Sequence, residues 1–145
     1  MQWAEYRLRD IAAVFSAERK GESITLASQW LFDSHAGRDE LLSFIQAMVV
    51  LEIILGDNKK LSDEIGLSAL MRNRCAYLIG ASQQDRAELL QLFSKIYGVR
   101  SQIVHSGKHR LTLDERTLFS RLRWMCRRVI DKEVDLLKAD PQASN

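Results

Sequence analysis

Apolar residues along this chain recur at intervals of three and four, the spacing of helices that each turn one face toward a core. The first such segment runs from about Trp3 to Lys20. It places Leu8, Ile11, Ala12 and Phe15 on one stripe and is expected to stop near Gly21. A short stretch of mixed character, Ile24 to Asp33, extends or abuts the next helix. From about Arg38 to Leu55 the chain is apolar nearly all round in its second half, through Met48, Val49, Ile53 and Leu55, which predicts the central helix. Gly56 and the polar run Asp57 to Lys60 end it. A fourth segment, Leu61 to Ile79, carries Leu61, Ile65, Leu70, Met71 and Cys75, with Gly80 as its stop. A fifth, Gln83 to about His105, sets Leu89, Phe93, Ile96, Tyr97 and Val104 on one broad face, and Ser106 and Gly107 close it. The last spans about Asp114 to Leu137, with Leu118, Leu122, Met125, Cys126, Val129 and Ile130 turned inward.

Two capping signatures sharpen these boundaries. Ser82 stands as an N-cap three residues before Asp85, and Thr112 three residues before Glu115, so each pair can satisfy free amides of a first turn. No window alternates with period two, and the one proline, Pro141, lies near the end of the chain. The pattern predicts an all-α, up-and-down helical bundle of four to five main helices. It forms a single domain over residues 1–138, followed by a flexible tail at 139–145.

Composition narrows the class. A chain of 145 residues with 46% apolar and 28% charged residues can bury a core of its own and does not read as disordered. The net charge of +2 announces no nucleic-acid binder, but its distribution is uneven. Arg110, Arg116, Arg121, Arg123, Arg127 and Arg128 crowd into one late segment, which is a local basic surface or a solvated helix face. Cys75 and Cys126 have neither CxxC nor zinc-ligand spacing and read as buried free thiols of a reducing compartment. Met1 to Lys20 is too charged for a secretory leader. The longest apolar run, Ala47 to Leu55, is broken by Glu52 and too short to cross a bilayer. A cytoplasmic protein with no membrane partner is expected.

The candidate chemistry lies in Tyr97-Gly-Val-Arg-Ser-Gln-Ile-Val-His-Ser-Gly107. Arg100 keeps its charge at neutral pH and offers a planar fork that fits phosphate oxygens. His105 can both take and give a proton near pH 7. Five helical residues rotate by about 140° and rise about 7.5 Å, so Arg100 and His105 do not share a narrow stripe, whereas Ser101 and His105 do. On spacing alone such a pair is a frequent coincidence. Glu52, in an apolar run, needs a partner, and Arg74 on the next segment is expected to neutralise it as a structural ion pair. The alternative is that the two brace a cleft or position Arg100. Trp3, Trp30 and Trp124 are read as core or interface residues rather than base-stacking platforms.

The string Val-Arg-Ser-Gln-Ile-Val-His-Ser-Gly, preceded by Leu-Phe-Ser-Lys-Ile-Tyr, resembles the Arg-x4-His signature of HEPN domains and is most similar to the Apea-like HEPN subgroup. Val50 to Leu55 and Leu70 to Gly80 fit the same subgroup, so the resemblance covers roughly Ser43 to Arg110. Ser106 departs from the pattern, standing where the family often has glycine directly after the histidine. The resemblance implies a HEPN-like bundle, a homodimer and a metal-independent endoribonuclease without cofactors. Attack by the RNA 2′-hydroxyl would leave a 2′,3′-cyclic phosphate and a 5′-hydroxyl. Carried onto this chain, it makes His105 the general acid or base, Arg100 the group that stabilises transition-state charge, and Ser101 a phosphate-orienting hydroxyl. Two His105 copies across a two-fold axis would supply both proton-transfer roles. Single-stranded or loop RNA is the expected substrate, with Arg116, Arg123 and Arg127 holding phosphates outside the scissile site. A toxin or defence effector with an antitoxin or a larger parent protein is the implied setting. The competing expectation is a non-catalytic HEPN module that dimerises or binds a partner.

Overall fold

A computed structural model of the chain describes residues 2–56 and 66–139. It is an all-helical bundle with no strand among the described residues. Those residues form, in order, α1 (Gln2–Ser16), α2 (Glu18–Ala36), α3 (Glu40–Leu55), α4 (Leu67–Ile79), α5 (Gln83–His105) and α6 (Leu113–Ala139). The expected start of the fourth segment at Leu61 and the tail residues 140–145 lie outside the described residues, and α6 runs through Ala139.

The core forms where α3 meets the expected apolar stripe of α6. Phe44, Met48, Leu51 and Leu55 of α3 are buried against Leu122, Met125, Cys126 and Val129 of α6, and the Phe44 and Phe119 rings lie 5.3 Å apart. Helix α6 touches each of the other described helices, so it shares the centre with α3. Both cysteines are buried free thiols, as expected. The Cys126 thiol donates to the Ala47 carbonyl at 3.1 Å, and burial pushes the Cys75 thiol up to about 12 and Cys126 higher still. Neither supplies a thiolate at neutral pH. A thiol-specific reagent should label neither cysteine in the native protein and both after denaturation. Rapid native labelling of Cys126 would mean that the α3–α6 contact is not formed.

The N-terminal third departs from the expectation in two ways. The first helix ends at Ser16 rather than Lys20, and Gly21 lies inside α2 instead of stopping α1. Gly21 is buried and its amide donates to the Ala17 carbonyl, and a Cβ there would run into the Val14 carbonyl oxygen. The glycine is required because the end of α1 folds back onto α2, so it marks a close approach rather than a helix end. Gly21→Ala is expected to lower stability by about 1–3 kcal/mol through overpacking. A chemical denaturation midpoint equal to wild type would contradict this.

The stripe expected to bury α1 is the second departure. Leu8, Ile11 and Phe15 are exposed, and Trp3 with them. Helix α1 turns Val14 and Asp10 inward instead, and Lys138 near the end of α6 clamps it through Asp10 (2.8 Å) and Tyr6 (3.2 Å). Periodicity identified an amphipathic helix correctly, but it cannot say whether the apolar face is covered.

Candidate functional site

Helix α5 carries the candidate residues on its last two turns, and the local chemistry explains why it holds this length. At its start the Ser82 hydroxyl accepts from the Asp85 amide at 3.1 Å. Leu89, Phe93, Ile96 and Val99 bury one face. At its end the Ser106 amide donates to the Gln102 carbonyl, and Gly107 adopts φ +62°, a left-handed conformation that glycine enters without a Cβ clash. Val104, expected on the buried face, is exposed.

Arg100 leaves this helix half-buried and meets Glu52 of α3, its Nη2 at 3.4 Å from Oε1. The guanidinium carbon lies 5.7 Å from the centre of the Tyr97 ring, which stacks on Phe93. Arg74, the expected partner of Glu52, donates to the Leu55 carbonyl at 2.6 Å and so ties α4 to the end of α3. The expected Glu52–Arg74 ion pair is therefore replaced by Glu52–Arg100. One long contact between partly exposed groups contributes roughly 0.2–1 kcal/mol, and it leaves other guanidinium N–H groups free to meet an anion.

His105 is the last residue of α5 and is exposed, with no hydrogen-bond partner among the described residues. Ser101, one turn earlier on the same side, is half-buried and also unpartnered among them. The helix thus brings Ser101 and His105 onto one face, with Arg100 round the helix beside Glu52. His35 differs: its Nδ1 lies 2.8 Å from the Leu31 carbonyl of its own helix.

A latch behind His105 gave a weaker sequence signal. Lys108 bridges Glu115 (2.8 Å) and Gln102 (3.4 Å), spanning the turn between α5 and α6. Glu115 also accepts from the Thr112 amide at 2.7 Å while its own amide donates to the Thr112 hydroxyl at 3.3 Å, completing the expected capping box. Burial alone would raise the Glu115 carboxyl, but Lys108 and Thr112 together outweigh it and hold it below the ordinary carboxylate value. A depressed carboxylate stabilises the fold above its unfolded pKa, and that contribution disappears as pH falls through the folded value. Glu115→Gln should therefore lose less thermal stability than wild type between pH 7 and pH 3. Equal losses in the two proteins would show that the latch carries no such linkage.

The three arginines expected to hold RNA lie on one side of α6, within about 40° of one another, but are engaged differently. Arg116 binds Glu40 at the start of α3 through Nε (2.7 Å) and Nη2 (3.4 Å). Arg123 donates to the Ser34 carbonyl and hydroxyl, lies 4.0 Å from the Phe119 ring centre, and has its pKa lowered by burial. It fastens α6 to the end of α2. Arg127 alone of the three is exposed and without a partner among the described residues. Successive residues turn by about 100°, which sends Arg121 and Arg128 to another face of α6 from these three, so the charge crowded in sequence is divided between two faces. Trp124, expected in a core or interface, is exposed with Arg121 over its ring at 4.7 Å, whereas Trp30 packs against the core.

No group of three or more His, Cys, Asp or Glu side chains is placed to hold a metal ion among the described residues, and no helix among them is long and apolar enough to cross a membrane. Comparison with family models, curated proteins and solved structures finds no match to this chain.

Proposed function

We propose that the chain is a metal-independent endoribonuclease of HEPN type, cleaving single-stranded or loop RNA at a site completed by a second copy of itself. The observation that carries this reading is an exposed His105, unpartnered among the described residues, about a turn and a half along the same helix from an Arg100 held by one replaceable contact to Glu52. In the first step one His105 takes the proton of the ribose 2′-hydroxyl as the 2′-oxygen bonds to phosphorus. The bond from phosphorus to the 5′-oxygen breaks, and that oxygen takes a proton from the His105 of the second copy. The products are a 2′,3′-cyclic phosphate and a 5′-hydroxyl. Arg100 exchanges Glu52 for the phosphate and stabilises the charge that builds on its oxygens. Ser101, facing the same way as His105, orients a phosphate oxygen. Glu52 is a positioning residue that keeps Arg100 from folding away before substrate arrives.

The experiment is cleavage of a mixed RNA pool in EDTA by wild type, Arg100→Ala, Arg100→Lys and Glu52→Gln. Arg100→Ala is expected to reduce the rate by roughly 10²–10³-fold, the scale for loss of a transition-state charge donor. Arg100→Lys should recover only part of it, because the planar fork is lost. Glu52→Gln should change kcat by less than Arg100→Ala does. Full activity in Arg100→Ala would remove the reading.

The same geometry supports a second reading, a non-catalytic dimerisation or partner-binding module. Its supporting observation is that Arg100 is already engaged by Glu52, an arrangement a purely structural role would also use. A folded dimer that cleaves no RNA would favour it. Growth arrest on expression in cells, absent in His105→Ala, is the matching test of a toxin or defence role.

A further inference from the structure

The apolar face of α1 and α2 is a feature that the site on α5 does not use. A groove of about 920 Å³ runs between these helices with α6 at its base, lined by Tyr6, Ile11 and Phe15 of α1 and Phe32 of α2. Phe15 is 81% exposed and Phe32 71%. Phe15 also borders an adjoining groove with Leu26, so the apolar surface is continuous along α1 and α2. At ~150–250 Å² per aromatic side chain, Phe15 and Phe32 alone leave roughly 200–400 Å² in water. With Tyr6, Ile11 and Leu26 the face reaches the size that marks an interaction site.

Its charges select the partner. Asp10 on the lining is paired with Arg7 and Lys138, and Asp135 with Lys138. Asp33 and Asp131 also line the groove and have no ion-pair partner among the described residues. Arg128 is the only lining cation without one among them, and it also borders a second groove beside Asp85 and Glu88. A second copy would bring the same excess of unpaired acid, two aspartates to one arginine, to the contact, and an anionic membrane surface would meet that excess too. Tyr6 to Phe15 spans about 13 Å of helix, which suits an extended apolar ridge rather than a compact molecule.

We propose that this groove docks an amphipathic helix of a partner protein, its apolar ridge seated on Tyr6, Ile11, Phe15 and Phe32 and its flanking Lys or Arg side chains meeting Asp33 and Asp131. Helices α1 and α2 contact α3 and α6 but not α4 or α5, so the surface lies away from His105 and stands independently of the ribonuclease reading.

The test uses the full chain and two synthetic helices of about 18 residues, each with leucines on one face and either Lys or Glu flanking them. Fluorescence anisotropy should give at least tenfold tighter binding for the Lys helix. The Asp33→Lys/Asp131→Lys variant should reverse that preference. Phe15→Ser/Phe32→Ser should abolish binding while leaving the thermal melt unchanged, since both side chains are exposed. Equal binding of the two helices, or binding retained by the double serine variant, overturns the proposal. So does self-association, or capture on phosphatidylserine vesicles, that the double serine variant loses, because a second copy or a lipid surface would then be the occupant.

Discussion

His105→Ala is expected to lower the rate of RNA cleavage by about 10²–10⁴-fold, the range for loss of a positioned general acid or base. The side chain is exposed at the end of α5 and takes no part in the core, so the melting temperature should stay within about 2 °C of wild type. Mixing makes the prediction sharper. If each cleavage needs one His105 as base and a second as acid, heterodimers of wild type with an excess of His105→Ala should be nearly inactive. Titrating the variant against a fixed amount of wild type should then suppress activity below the wild-type share. Activity that tracks wild-type concentration alone would place both proton transfers within one chain. The readout is initial cleavage rate in EDTA, with circular dichroism confirming equal folding.

Phe44→Ala is expected to cost about 3–5 kcal/mol of stability. Phe44 is fully buried and packs against Phe119 where α3 meets α6, the contact around which the other helices are arranged. For a domain of this size that loss should lower the melting temperature by roughly 10–20 °C. Phe44→Leu, which keeps more of the volume, should recover part of it. A shift of only a degree or two in Phe44→Ala would mean that the α3–α6 contact is not the centre of the fold.

Helices with covered apolar stripes were readable from their residues, and the others were readable only in part. The spacing of Leu122, Met125, Cys126 and Val129 marked the buried face of α6, and Ser82 and Thr112 marked helix starts that their side chains do cap. In α1 the same kind of stripe, Leu8, Ile11 and Phe15, stays in water, because amphipathicity is a property of one helix whereas burial needs a second. Gly21 was misread for a related reason: a helix stop and a close helix contact both select glycine, and only the approach of Val14 distinguishes them.

At the site, Arg100, Ser101 and His105 stood out through the resemblance of their motif, and the fold places them on the last two turns of one helix. The partner of Arg100 was harder to assign. Arg74 and Arg100 both offered a charge to Glu52, and the choice depends on how α3, α4 and α5 pack, which no sequence separation encodes. Tyr97, at i−3 from Arg100, could have been found from helical spacing, but its apolar character drew it into the core stripe. The contacts of the late arginines were equally hidden, since Arg116 and Arg123 are engaged by Glu40 and Ser34 at points remote in sequence.

The most direct test of the central claim removes the nucleophile from the substrate instead of a side chain from the protein. An RNA oligonucleotide that is cut at one bond is prepared with a single 2′-deoxy sugar on the 5′ side of that bond. Cleavage there is expected to stop while neighbouring bonds are unaffected, and the unmodified RNA is expected to yield a 2′,3′-cyclic phosphate and a 5′-hydroxyl. Cleavage that continues at the deoxy position would contradict attack by the 2′-hydroxyl and with it the assigned roles of His105 and Arg100.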